Sequence, residues 1–230
     1  MELYDLTVQQ VRTPLGVEAG SSARFGWKLQ SRRRNIRQTG YRLTVCGPQG
    51  LLWDSGKVAK DTNAFVPYGG PALEARTRYT WQVTVWDNRG EAARAESWFE
   101  TALAPADWTA AWMRTPRPAP QRGKGFGEQP PATLFRRSFS LTAAPVRARL
   151  YATCLGVYRL TVNGVRPDPR ELAPEHTSYR GLLCYQIYDL TSLLQPGENV
   201  IGMEVGDGWY CGPRTQPPLD GQIPDHTVLF

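Results

Sequence analysis

Side chains that build metal sites and nucleophilic active sites are scarce in this sequence. Its 230 residues include two histidines, His176 and His226, and no G-x-S-x-G motif. Widely spaced cysteines exclude a C-x-x-C metal or redox pair: Cys46, Cys154, Cys184 and Cys211. We therefore predict no metal site and no nucleophile-elbow hydrolase, and we expect the first three cysteines to be free thiols within strands.

Long apolar segments are also absent. No run approaches the ~20 residues that a membrane-spanning helix needs, so we expect no membrane partner. The opening MELYDLTVQQ has neither a basic segment nor an apolar core, so no secretory signal peptide is visible. A cytoplasmic location is the expectation, with secretion left open because a removed leader would leave the same sequence.

Positive charge exceeds negative charge, but it is not concentrated. The net charge is +6 and the isoelectric point is near 9.3. The one dense run is Arg32-Arg33-Arg34 with Arg37, and no aromatic residues interleave with it. This pattern predicts a solvated loop, with an anion contact as the alternative, and no nucleic-acid partner.

Carboxylates show no arrangement suited to hydrolysis of a glycosidic bond. That chemistry needs two carboxyl groups facing each other across the scissile bond. Glu171, Glu175 and Asp207 lie in turns and loops without a defensible pairing. We therefore assign no catalytic residue.

Glycine, proline and aromatic residues are plentiful. The chain has 22 Gly and 19 Pro, and 11% of its residues are aromatic. Short alternating apolar runs are separated by turn residues, and no helix-period segment exceeds about two turns. The prediction is an all-β protein built from two β-sandwich domains.

Residues 1–103 have the strand spacing of a seven-stranded, fibronectin type III-like or immunoglobulin-like sandwich. The strands are expected at residues 6–11, 23–27, 41–45, 51–53, 64–66, 79–86 and 97–99. Leu73 precedes Tyr79 as in a tyrosine corner, where the phenol bonds to upstream backbone. From Tyr79 onward, Trp81, Val83 and Val85 fall on the same face, which we expect to be buried.

Four aromatic residues of this domain have two interpretations. They could form a sugar-binding platform, but their positions within the strands favour core and inter-sheet packing: Trp27, Tyr41, Trp53 and Trp81.

Residues 104–133 are rich in proline and glycine and are predicted to be a linker. Strands then resume at residues 134–139, 146–154, 157–162, 183–188, 199–205 and 227–230. These five or six strands are fewer than the eight of a jelly roll. Residues 134–230 are therefore expected to be a jelly-roll-like domain that is incomplete at its C-terminus.

A glycine-rich loop in this domain carries the candidate ligand surface. Asp207 lies between Gly206 and Gly208 and can accept sugar hydroxyls, while Trp209 and Tyr210 offer flat faces to a pyranose ring. His176 and Tyr179 follow a proline-rich loop and are expected at the same end. The alternative is a Gly-Asp-Gly hairpin with Trp209 covering the core.

Three motifs of the second half occur in an order that is similar to a known family. LYATCLGVYRLTVNG, LAPEHTSYRGLLCYQIYDLT and GENVIGMEVGDGWYCG resemble the N-terminal β-domain of bacterial α-L-rhamnosidases, glycoside hydrolase family 78. In the first half, QTGYR, WDSGKV and TRYTW resemble the fibronectin-like module that opens these enzymes.

The resemblance implies a non-catalytic region of an inverting enzyme that removes terminal α-L-rhamnose. The catalytic carboxylates would lie in a later (α/α)6 barrel absent from this chain. Implied partners are that barrel and a rhamnose-containing glycoside. Calcium is an implied cofactor of some related domains, although no residue here singles it out. The alternative is a free-standing carbohydrate-binding or adhesion module of two sandwiches.

Overall fold

The computed structural model describes residues 1–20, 23–114, 131–179, 181–211 and 227–229. The chain divides into two compact units, Met1–Thr109 and Ala110–Phe230. Strands dominate both, and the helical elements of the described residues are a 3-10 turn at Pro105–Asp107 and one α-helical turn at Gly208–Cys211. The all-β prediction is confirmed. Most of the predicted linker, residues 115–130, lies outside the described residues, so its bounds stay a prediction.

The first unit contains seven strands in two antiparallel sheets. They are β1 (Glu2–Val8), β2 (Arg24–Gln30), β3 (Gln38–Gly47), β4 (Gly50–Asp54), β5 (Val66–Pro67), β6 (Arg78–Asp87) and β7 (Ala92–Glu100). The sheet orders are β1-β2-β5 and β4-β3-β6-β7. Strand one was predicted at residues 6–11, which is wrong, because Gln9 and Gln10 have positive φ. The turn they form is closed by paired hydrogen bonds between Val8 and Val11.

Strand β6 is the centre of this core and follows the predicted alternation. Tyr79, Trp81, Val83 and Val85 are all buried. The Tyr79 hydroxyl accepts the backbone N–H of Glu74 at 2.8 Å, which confirms the tyrosine corner.

The four aromatic residues for which a sugar platform was the other interpretation pack inside the first unit. Trp27, Tyr41 and Trp81 are each less than 10% exposed. The ring of Trp53 packs edge-on against Tyr68, with centroids 5.1 Å apart. The core interpretation is therefore confirmed.

Asp54 on β4 gives the first unit a measurable acid sensitivity. It accepts hydrogen bonds from the Arg42 guanidinium and, at 2.9 Å, from the Gly56 backbone N–H, and these hold the pKa of Asp54 at about 2. Since the pKa is lowered from its unfolded value of about 3.9, the pair stabilises the fold above pH ~4. That contribution is lost as pH falls through about 2.

We expect Asp54→Asn to flatten the decline of stability between pH 4 and pH 2, measured as the urea midpoint. Half of the Arg42 side chain is exposed, so screening keeps the effect below ~1 kcal/mol. Asp61→Asn, at an exposed position of the same unit, serves as control. An unchanged pH profile in Asp54→Asn would refute this role.

The second unit contains the remaining strands, again in two sheets. They are β8 (Met113–Arg114), β9 (Thr133–Leu141), β10 (Arg149–Leu155), β11 (Val157–Val162), β12 (Gln186–Asp189), β13 (Gly197–Gly206) and β14 (Thr227–Leu229), with the single turn α1 (Gly208–Cys211) after β13. The sheet orders are β12-β10-β14-β8 and β11-β13-β9. The core consists mainly of alternate residues of β10, β11 and β13.

Two strand predictions in this unit have wrong starting points. The strand predicted from residue 146 begins at Arg149, and Val146 is 98% exposed. The strand predicted from residue 183 begins at Gln186. The short strand β8 was not predicted. Residue 230, the end of the last predicted strand, lies outside the described residues.

Three cysteines form no disulfide bond, as predicted: Cys46, Cys154 and Cys184. Cys154 is buried within β10 and Cys46 is half-buried within β3. The strand assignment of Cys184 is wrong, since it precedes β12, and its carbonyl oxygen accepts the Thr153 hydroxyl at 2.7 Å. Within the described ranges, no helix is long and apolar enough to cross a membrane.

Candidate functional site

The candidate site is built where β13 ends. Strand β13 pairs with β11 on one side and β9 on the other, so its last residue has a fixed position. A methyl group on Gly156, in the β10–β11 connection, would lie 2.3 Å from the Gly206 carbonyl oxygen. A methyl group on Gly208 would lie 2.8 Å from Val157 Cγ1. These glycines let the two turns pack tightly and set the start of α1.

The structure has neither the predicted glycine-rich loop nor the alternative Gly-Asp-Gly hairpin at this point. After Gly206 the chain passes through Asp207 into α1, so Trp209 and Tyr210 lie on a helical turn. Asp207 is half-buried immediately before that turn.

Buried amides hold the opposite end of β13. Asn199 is fully buried, and its Oδ1 accepts the Gln195 backbone N–H at 3.0 Å and Asn163 Nδ2 at 2.9 Å. Its Nδ2 donates to the carbonyl oxygens of Gln195 and Gly197 at 2.7 and 3.0 Å. Asn163 in turn accepts the Val200 N–H. The network joins the β11 turn to β13.

The long connection from β11 to β12 supplies the second side of the site. The backbone N–H of Tyr158 donates to the Ala173 carbonyl oxygen at 2.6 Å, which holds the connection against β11. Thr177 is buried, and its hydroxyl accepts the Tyr179 N–H at 3.1 Å. These bonds set the positions of the residues on either side, His176 and Tyr179.

Four of the five candidate residues form an aromatic cluster: His176, Tyr179, Trp209 and Tyr210. The His176 and Trp209 rings lie 5.6 Å apart and nearly perpendicular, at 88°. Tyr179 lies 6.3 Å from His176 and 4.9 Å from Tyr210. The structure therefore brings together residues separated by about 30 positions. Asp207 borders the cluster along the chain.

Trp209 is accessible to solvent. It is 39% exposed and lies outside the buried cluster that forms the core of this unit. This argues against the alternative in which Trp209 covers the core. His176 is exposed as well, whereas Tyr179 and Tyr210 are half-buried.

Beside the cluster lies a polar pocket that was not predicted. Its lining residues are Asp168, Arg170, Glu171, Ala173, Glu175, Gln186 and Tyr188. The enclosed space is about 10 Å³, room for about one water molecule, so the pocket is a shallow polar depression and not a cavity that encloses a ring. Since Glu175 lines the pocket and His176 follows it, one loop segment contributes to both surfaces. No sequence motif marks the pocket, because its residues come together only through the course of the connection from β11 to β12.

Ion pairs fix the charges in the pocket. Arg170 Nε donates to Asp168 Oδ2 at 2.7 Å, which lowers the pKa of Asp168 and raises the pKa of Arg170. Arg166 Nη1 lies 2.7 Å from Glu171 Oε1 and lowers the pKa of that carboxyl group. A general acid needs a raised pKa. The Asp168 and Glu171 carboxylates are therefore suited to accept hydrogen bonds rather than to deliver protons.

Tyr188, which lines the pocket, forms a buried pair with Tyr158. The hydroxyl oxygens of Tyr158 and Tyr188 lie 2.9 Å apart, and Tyr158 donates to the Ala152 carbonyl oxygen at 3.2 Å. Burial raises the pKa of both phenols, so both stay protonated at neutral pH. With its single proton committed to Ala152, Tyr158 accepts from Tyr188.

Among the residues that the structure describes, no group of three or more His, Cys, Asp or Glu side chains is arranged to hold a metal ion. Calcium can also use backbone and amide oxygens, so the calcium expectation stays untested.

Comparisons with known proteins identify both halves of the chain. Residues 3–105 match the model of the Rha78A-like N-terminal immunoglobulin domain. Residues 143–223 match the model of the alpha-L-rhamnosidase N-terminal domain.

Relatives and solved structures agree with these matches. An alpha-L-rhamnosidase from Streptomyces avermitilis is 32% identical over 233 residues, covering 89% of this chain and 22% of the relative. The solved alpha-L-rhamnosidase from Dictyoglumus thermophilum is 29% identical with a TM-score of 0.82, covering 99% of this chain and 27% of that one. The solved alpha-L-rhamnosidase from Aspergillus terreus is 25% identical with a TM-score of 0.80, covering 99% of this chain and 26% of that one. The chain spans about a quarter of the length of these proteins.

Proposed function

We propose that this chain, which belongs to the α-L-rhamnosidase family as its N-terminal two-domain region, binds the rhamnose of a glycoside without cleaving it. In the parent protein it would serve as scaffold for a catalytic (α/α)6 barrel that removes terminal α-L-rhamnose by inversion. The observation that carries the binding proposal is the aromatic cluster beside the polar pocket, joined through Glu175 and His176.

The two surfaces match the two sides of a 6-deoxy sugar. Rhamnose carries a methyl group and ring C–H bonds, which pack favourably on aromatic faces such as that of Trp209. Its hydroxyl groups need donors and acceptors. Arg170 can donate, while Asp168 and Glu175 can accept. A ring lying against the aromatic cluster could direct its hydroxyls toward this polar surface, and Asp207 would add an acceptor beside Trp209.

Binding is proposed to be independent of metal, because the charged groups of the pocket already supply partners for the hydroxyls. L-rhamnose titrated into the protein should give a saturable calorimetric signal that EDTA leaves unchanged, and D-glucose, which lacks the methyl group, should bind more weakly. Equal affinity for both sugars would contradict the match to a deoxy sugar. Loss of the signal with EDTA, restored by calcium, would instead establish a calcium-assisted site.

The same chain should not hydrolyse an aryl α-L-rhamnoside. The ion-paired Asp168 and Glu171 have lowered pKa values, and inversion needs a protonated acid opposite a base. We expect release of 4-nitrophenol from its rhamnoside at the rate of a protein-free blank. Turnover that disappears when a single carboxylate of this chain is replaced would overturn the assignment.

A further inference from the structure

Five arginines gather at one end of the first sandwich. Four lie in the connection between β2 and β3, which we call the arginine loop, residues 31–37, and the fifth lies in the turn between β6 and β7: Arg32, Arg33, Arg34, Arg37 and Arg89. All five are exposed. Even fully extended, the loop from residue 32 to residue 37 would span no more than ~20 Å, so four of these charges are confined to a short arc.

Hydrogen bonds fix the arginine loop against the neighbouring turn. The Asn88 N–H donates to the Arg37 carbonyl oxygen at 3.0 Å, and Asn88 Oδ1 accepts the Arg37 N–H at 3.0 Å. Asn88 Nδ2 also donates to the Asn35 carbonyl oxygen at 3.1 Å. Arg33 forms an ion pair with Glu91 on the same turn. The loop is thus held in place, and the charges of loop and turn form one surface.

Local carboxylates offset only part of this charge. Glu91 pairs with Arg33, and Asp87 Oδ1 accepts the backbone N–H groups of Arg89 and Glu91 at 2.9 and 3.0 Å. In the described part of the chain no carboxylate pairs with the remaining guanidinium groups: Arg32, Arg34, Arg37 and Arg89. This end of the sandwich therefore carries a net positive charge, and its guanidinium groups are available to donate hydrogen bonds to a ligand.

We propose that this surface binds an anionic polysaccharide chain. Guanidinium groups bind planar or tetrahedral oxyanions with paired hydrogen bonds, so repeated carboxylates or sulfates along a flexible chain suit an arc of arginines. Neither residues 31–37 nor residues 87–91 contain an aromatic side chain, so bases of a nucleic acid would find nothing to stack on. The choice of a polysaccharide over an acidic protein rests on the proposed function.

The test uses polymers without rhamnose, which separates it from the cluster site. Polygalacturonate supplies carboxylates, dextran sulfate supplies sulfates, and neutral dextran is the blank. We expect the full chain to bind at least one charged polymer and not dextran, with affinity falling at least several-fold between about 50 and 200 mM NaCl. Which charged polymer binds more tightly identifies the oxyanion.

Matched variants locate the binding surface. Arg32→Gln with Arg34→Gln should weaken binding about tenfold, as expected for the loss of two charged contacts. Arg136→Gln with Arg137→Gln removes the same charge from exposed positions on β9 and should change affinity less than twofold. Equal losses in the two pairs, no binding to either charged polymer, or tighter binding to single-stranded DNA than to both polymers would each overturn the proposal. Rhamnose binding should be normal in both variants.

Discussion

Replacing Asn199 with alanine is expected to lower the free energy of unfolding of the second unit by about 3–5 kcal/mol. The side chain is fully buried and makes four hydrogen bonds. Its removal takes away the partners of the Gln195 backbone N–H and carbonyl oxygen and one of the two acceptors of Asn163 Nδ2, which keeps the Leu193 carbonyl oxygen at 2.8 Å. The cost of leaving buried donors and acceptors unpaired exceeds the value of any single bond.

Urea denaturation followed by circular dichroism measures this loss. Glu198→Ala is the matched control, since Glu198 is the neighbouring residue of β13 and is exposed, and should stay within about 0.5 kcal/mol of the wild type. A loss below about 1 kcal/mol in Asn199→Ala would show that the amide network does not hold β13.

Replacing Trp209 with alanine is expected to weaken rhamnose binding by about 1–3 kcal/mol, or roughly 5- to 150-fold, while stability changes little. Trp209 supplies an exposed aromatic face at the edge of the cluster and lies outside the buried core. The affinity is expected to fall because the variant lacks the aromatic face on which the sugar ring packs. Calorimetric titration and the melting temperature are to be measured on the same preparation.

Trp112→Ala is the matched control, because Trp112 is a tryptophan of the same unit with 46% exposure. It should bind rhamnose as the wild type does. If Trp209→Ala instead lowers stability by about 3–5 kcal/mol without a separate binding defect, Trp209 serves the fold and not the ligand.

The parts of the fold that could be predicted from the sequence are those that depend on local patterns. Strand β6 shows this best, because the alternation from Tyr79 to Val85 has period two and each inward side chain is apolar. The tyrosine corner also depends on residues only five apart, Glu74 and Tyr79. The same pattern gave a wrong start for β10. Val146 continues the apolar pattern, yet the pairing of β10 with β12 begins only at Arg149, and Val146 is exposed.

The candidate site was only partly predictable. Stacking residues could be proposed one by one, because Trp209 and Tyr210 follow glycines and the type of side chain suggests its use. The polar pocket could not be predicted from the sequence. Its residues Asp168, Glu175 and Tyr188 are far apart in the chain, and the long connection from β11 to β12, held at Ala173, brings them together. The glycine-rich loop expected at Asp207 is a helical turn instead, because Gly156 and Gly208 pack closely where that turn begins.

The binding of rhamnose at the aromatic cluster is tested most directly by solution NMR of the labelled chain during titration with L-rhamnose. We expect saturable shifts of the Trp209 indole N–H and of the backbone amides of Glu175, His176 and Tyr179. The Trp112 indole N–H should not move. Saturable shifts confined to other parts of the chain, or no shifts at millimolar sugar, would contradict it.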